Sequence, residues 1–176
     1  MNRYRSVISA IVIGLFVTAC ATALTKDIKV NTESAPNANL SAYKTYAWIA
    51  AAQILNDPDG QWEPPKFDAD AEIRFLINSE LRKKGMSEVD RKPDMLVAYV
   101  AGVDMAALEL KKDPKQEMDV LKNSPRGALA VMFIDTTTLK PVWAGVAVGN
   151  VKMERSPEDS KKRLDYAVAE MFKNLP

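Results

Sequence analysis

The chain has 176 residues, about one domain's length, and its 47% apolar and 27% charged content is that of a globular protein rather than a disordered or fibrous one. A formal net charge of +1 gives no electrostatic footing for nucleic acid or for an anionic membrane surface. With no histidine and a single cysteine, histidine-based catalysis, histidine metal sites and an intramolecular disulfide are all excluded.

Met1 to Arg5 carries two arginines and no acid, Val7 to Val17 is a core of apolar and small residues, and Val17-Thr18-Ala19 leads to Cys20. That is the three-part layout of a secretory signal, with a core too short for a comfortable membrane span. The tetrad Val17 to Cys20 resembles the lipobox of bacterial lipoproteins, which implies cleavage before Cys20 and up to three acyl chains on it. At about 0.8 kcal/mol per buried methylene, two or more long chains hold a protein on a bilayer essentially permanently. Residue 21 is alanine, not aspartate. By the sorting rule of enterobacterial lipoproteins, this implies transfer to the outer membrane, lipid-anchored on its periplasmic face. The expected division is a cleaved signal over residues 1–19, a lipidated tether over 20–27 with little that packs, and one domain over 28–176. Seven extended residues from Ala21 to Asp27 reach roughly 25 Å.

Ile28-Lys29-Val30 alternates in polarity and reads as a first strand, followed by a loop from Asn31 to Asn39. Tyr43 to Ile49 is dense in aromatic and β-branched residues and reads as a strand. Ala51 to Lys66, with Pro58, Gly60, Pro64 and Pro65, is expected to be a long exposed loop of the kind that carries function. Asp68 to Lys84 reads as a helix: Asp68 suits the N-cap, Asp70 and Glu72 the positive end of the dipole, and Gly85 the C-cap. Ile73, Leu76, Ile77 and Leu81 give it one apolar face.

Met86 to Val89 is a short strand candidate and Asp94 to Val103 a buried strand. In the charged stretch Asp104 to Ser124, Asp113-Pro114 suits the start of a short helix through Leu121. Gly127 to Asp135 and Pro141 to Val151 form a hairpin about Thr136 to Lys140. Ser156-Pro157-Glu158-Asp159 then opens a helix reaching about Asn174. The expected architecture is α+β: a two-layer sandwich of a mostly antiparallel, five- to six-stranded sheet with two helices on one face.

Leu40 to Trp48, Leu81 to Gly85, Pro93 to Tyr99, and Gly127 to Asp135 with Val142-Trp143-Ala144-Gly145 stand in an order that resembles the DUF4136 family of bacterial envelope lipoproteins. The resemblance covers nearly all of the chain beyond the signal. It implies the α+β fold and an envelope location. It supplies no catalytic residues, and no cofactor or metal is implied.

No phosphate-binding or dinucleotide fingerprint is present. Asp57-Pro58-Asp59-Gly60 misses the EF-hand register, since Leu55 and Lys66 would stand at the first and twelfth ligand positions, and reads as a turn. The carboxylates of the first helix are explained by its dipole. No catalytic residue is therefore expected. Contact residues are sought in Trp62, on the proline-bearing loop, and in Leu96, Val100, Leu129, Val131 and Phe133, from two strands apolar on both faces.

These features lead to a non-enzymatic, outer-membrane-anchored periplasmic lipoprotein that binds a partner or supports the envelope. Its partners would be the membrane, through the lipid on Cys20, and an envelope protein, lipid or cell-wall component. The alternative is a binder of a small apolar or cell-wall-derived ligand. A carboxylate-based hydrolase stands third.

Overall fold

The computed structural model describes residues 23–112 and 119–176, so the signal, Cys20 and the lipobox lie outside the described residues. Strands β1 (Lys29–Ser34), β2 (Thr45–Asn56), β3 (Ser87–Glu88), β4 (Met95–Asp104), β7 (Arg126–Asp135) and β8 (Pro141–Asn150) form one sheet in the order β1-β8-β7-β4-β2-β3. Strands β5 (Leu108–Lys112) and β6 (Asp119–Asn123) pair separately as an antiparallel ribbon. Helix α1 (Ala69–Lys83) follows β2, and helix α2 (Pro157–Phe172) follows β8. A single 3-10 turn, Leu40–Ala42, precedes β2.

The fold is α+β with a mostly antiparallel sheet, as expected from the sequence. β1, β8, β7 and β4 pair antiparallel, whereas β2 runs parallel to both β4 and β3 because α1 carries the chain back across the sheet. β2 is longer than its aromatic stretch, and the loop begins only at Asp57. One expectation is corrected in the 104–124 stretch. Residues 119–123 are strand rather than helix, because their alternating backbone pairs with β5; residues 113–118 lie outside the described residues.

Both helices start, and the first stops, as their sequences specify. The Asp68 carboxylate accepts from Ala71 N at 3.0 Å, and Ser156 Oγ from Asp159 N at 3.1 Å. Gly85 adopts φ +78°, a left-handed conformation that ends α1, while Met86 N donates back to Leu81 O.

One core joins Ile73, Ile77 and Leu81 of α1, Val168, Met171 and Phe172 of α2, and the alternate set Val97, Tyr99, Val131, Phe133 and Trp143 of the sheet. Phe133 stacks on Trp143 with centroids 4.5 Å apart, and Phe172 meets both rings. On β2 and β4, Trp48 and Tyr99 meet edge to face, and the Arg74 guanidinium lies 4.8 Å above Trp48. The Tyr99 hydroxyl donates to Asp70, which also accepts from Arg74, so an acid suited to the helix dipole also locks α1 to β4.

The segment before β1 is not the unpacked tether expected. Arg163, 7% exposed on α2, donates to Asp27 Oδ1 at 2.6 Å and Oδ2 at 2.7 Å, and to the Leu24 carbonyl. Asn150 N adds a third donor to the Asp27 carboxylate at 2.7 Å. These bonds hold the Asp27 pKa down at about 2, with the Arg163 hydrogen bond the leading cause. Residues 24–27 are thereby pinned beside the start of α2 and the end of β8.

Candidate functional site

Along the buried face of the sheet, side-chain size falls sharply from one end to the other. One end carries the row Val97–Phe133–Trp143; the other carries the rows Ala101–Leu129–Ala147 and Val103–Gly127–Gly149 across β4, β7 and β8, with alanine or glycine at four of the six positions. Such a floor leaves space under the helices. A cleft of about 470 Å³ opens there, within the range of about 300–1,000 Å³ typical of small-molecule sites. Ile73 of α1 and Leu164 and Ala167 of α2 form its sides.

The proline-bearing loop forms the rim. Gly60, at φ +63°, turns the chain where Gly60 N donates to Asp57 O. The Asp57 carboxylate then accepts from Gln61 N at 2.9 Å and from Trp62 N at 2.7 Å. The Asp57–Gly60 motif is thus a turn, and its acid is engaged by backbone donors. It aims half-buried Trp62, followed by Pro64, Pro65 and Phe67, at the cleft. Lys161 ties the loop to both helices: its Nζ pairs with Glu72 at 2.7 Å and lies 5.3 Å from the Phe67 ring.

Arg155, Asn150 and Ser160 give the cleft a polar end, joined by Arg163 of the Asp27 clamp. Among the described residues, Arg155 Nη1 donates to the Asn150 carbonyl alone, at 3.3 Å; burial first, then the neighbouring Arg163 charge, hold its pKa below the ordinary guanidinium value. Asn150 Oδ1 is sealed from solvent and has no hydrogen-bond partner among the described residues. A second, polar groove continues from this end past Leu24, Lys26 and Lys152.

The residues singled out from the sequence divide into three groups. Trp62 is in the cleft wall. Leu129, Val131 and Phe133 are 4%, 1% and 0% exposed; they belong to the buried face and do not share a surface with the other two. Leu129 alone of these three reaches the cleft floor. Leu96 and Val100 lie on the opposite face, in register with Ile134 and Ala130, where Val100, Met132 and Val146 are 38%, 37% and 39% exposed. Two-fold alternation separates the sets; a continuous apolar run conceals it in sequence.

Sequence reasoning missed Ala101, Gly127, Ala147 and Arg155. The signal available was the concentration of alanine and glycine at matching ends of three strands.

Among the described residues, no group of three or more histidine, cysteine, aspartate or glutamate side chains is placed to hold a metal. Nor is any described helix long and apolar enough to cross a membrane.

A mixed six-stranded sheet with two capped helices and an apolar cleft makes the described residues an α+β domain. The chain belongs to the DUF4136 family, a domain of unknown function, whose profile matches residues 30–176. Among solved structures, a DUF4136 family protein from Bacteroides thetaiotaomicron is similar at 11% identity and TM-score 0.55, over 84% of this chain and 95% of that one. The PelC dodecamer from Paraburkholderia phytofirmans matches at 13% identity and TM-score 0.44, over 84% and 97%. Lipoprotein GNA1162 from Neisseria meningitidis matches at 13% identity and TM-score 0.35, over 74% and 99%. No curated protein matches the chain. At these identities the likeness is one of fold alone.

Proposed function

We propose that this protein is a non-enzymatic envelope lipoprotein that holds an apolar ligand in the cleft beside Trp62. In this reading the helices roof one face of a two-layer sandwich, and the lipid on Cys20 fixes the domain to the periplasmic face of the outer membrane. The observation that carries the ligand reading is the cleft of about 470 Å³ over Ala101, Gly127 and Ala147. An apolar hollow of that size, open to solvent and walled by aromatics, favours apolar ligands over water.

The clamp at Asp27 sharpens the geometry. With residues 24–27 pinned, Cys20 stands four positions before the clamped segment, a span of at most about 14 Å. The cleft's polar end, which adjoins Leu24, then lies close to the anchoring bilayer, where apolar ligands are concentrated.

The test is photolabelling of the full chain in phosphatidylcholine nanodiscs with dodecanol carrying a diazirine. Labelled peptides are expected around Trp62–Phe67 and Ser160–Ala167. Ala101→Phe, which fills the floor, is expected to cut that labelling about tenfold, equivalent to ~1.4 kcal/mol of lost affinity. Labelling that is absent from these peptides, or indifferent to Ala101→Phe, overturns the reading.

A second reading, docking of an envelope protein, draws on the open sheet face at Val100, Met132 and Val146. Whole-cell crosslinking from Val100 tests it: a reproducible protein adduct supports it, and recovery of none counts against it.

A further inference from the structure

The polar end of the cleft is not satisfied by the protein itself. Arg163 is committed through both terminal guanidinium nitrogens to Asp27, and donates further to the Leu24 carbonyl and, at 3.3 Å, to the Asn150 carbonyl. Arg155 stands beside it with one long bond to that same carbonyl and no ion pair among the described residues. Asp27 and Asp159 are the acids that act on Arg155, but Asp27 is already held by Arg163 and Asn150. Arg155 lines both the apolar cleft and the polar groove, at the point where they meet. Next to it, the Asn150 side-chain oxygen is buried with no partner among the described residues; as an acceptor it calls for a donor and is not itself a contact for an anion.

A guanidinium is a planar fork of donors matched to carboxylate and phosphate oxygens, and burial strengthens such a pair. The arrangement is therefore a long apolar trough ending in an uncommitted, partly desolvated cation. We propose that the ligand is a single-chain amphipath, its hydrocarbon lying over Ala101, Gly127 and Ala147 and its anionic head group, carboxylate or phosphate, paired with Arg155. This rests on the reading of the cleft as an apolar ligand site and adds the charge of the head. Arg163 is not the head-group ligand, because withdrawing it would strand Asp27.

The experiment uses the full chain in phosphatidylcholine nanodiscs and four dodecyl probes carrying the same diazirine: dodecanoate, dodecyl phosphate, dodecanol and dodecyltrimethylammonium. Anionic probes are expected to label the Trp62–Phe67 and Ser160–Ala167 peptides more strongly than dodecanol does, and the cationic probe least. Arg155→Gln is expected to lower labelling by the anions about tenfold relative to dodecanol labelling of the same variant, the effect of ~1.4 kcal/mol; Arg155→Lys is expected to restore part of that ratio, and an unchanged ratio in Arg155→Gln overturns the assignment to Arg155. Preference between dodecanoate and dodecyl phosphate separates a fatty-acid source from a phospholipid-derived one. If dodecanol labels the cleft but anion and cation label it equally in the wild type, the charge assignment is overturned and the apolar site stands. That comparison needs no variant to fold. If no probe labels the cleft, the apolar reading falls with it.

Discussion

Replacing Arg163 by methionine tests whether the N-terminal segment is clamped to the domain or merely lies on it. The wild-type side chain is 7% exposed and binds Asp27 through two parallel hydrogen bonds of 2.6 and 2.7 Å, with the Leu24 and Asn150 carbonyls as further acceptors. Removing one partner of a buried ion pair costs about 3–5 kcal/mol. Here the abandoned Asp27 carboxylate is 28% exposed and can recover some water, so about 2–3 kcal/mol is expected. Asp27→Asn is expected to cost less. Its pKa falls from 3.8 to about 2, worth at most ~2.4 kcal/mol and about 1–2 after solvent screening. Urea denaturation of the full chain, as a double-mutant cycle, should give a coupling of about 1–2 kcal/mol. Trypsin should also cut faster after Lys26 in Arg163→Met. A loss below ~1 kcal/mol together with coupling near zero would refute the clamp, since a desolvated bidentate pair cannot be that cheap to break.

Other consequences follow from single residues. Because the folded Asp27 pKa is depressed, its stabilisation is fully present above pH ~4 and is lost as pH falls through about 2; the wild-type advantage over Asp27→Asn in urea should shrink across that interval. Tyr46 behaves oppositely at alkaline pH. Burial, then Glu88, raises its hydroxyl from 10.0 to about 12, so its contribution holds below pH 10 and is lost as pH rises through about 12. Tyr46→Phe should lose stability less steeply over that interval. A Cβ at Gly145 would stand 2.7 Å from Trp143 Cη2 and 3.1 Å from Met171 Sδ, both in the core. Gly145→Ala should therefore cost about 1–3 kcal/mol by overpacking; an unchanged melting temperature would show that the ring can move aside.

Much of the framework is legible locally, because caps and periodicity are local. Asp68, Gly85, Ser156 and Pro157 mark their helix ends in the sequence as in the structure. The helix expected through Leu121 rests on the local Asp113-Pro114 signal, whereas the strand at Asp119–Asn123 is set by pairing with β5, which no local pattern displays. Leu129 and Val100 illustrate the other difficulty. Both come from uninterrupted apolar runs, and only the register Ala101↔Leu129 and Val100↔Ala130 assigns them to opposite faces. The Asp27–Arg163 pair spans 136 positions, beyond any local pattern.

The cleft itself follows from a mismatch of lengths that no window of sequence displays. At ~1.5 Å per residue, the 15 residues of α1 and the 16 of α2 cover about 23 and 24 Å. At ~3.3 Å per residue, the ten residues each of β4, β7 and β8 extend about 33 Å. Helices and strands therefore do not match in length, and the cleft opens where the helices meet the Ala101–Leu129–Ala147 row, with Ile73, Leu164 and Ala167 along its sides and the loop carrying Trp62 at its rim. Alanine at two of the three positions of that row, where the Val97–Phe133–Trp143 row has none, forgoes burial of roughly 1.5–3 kcal/mol per large side chain. That stabilisation is left unused beside Arg155, which makes no ion pair among the described residues.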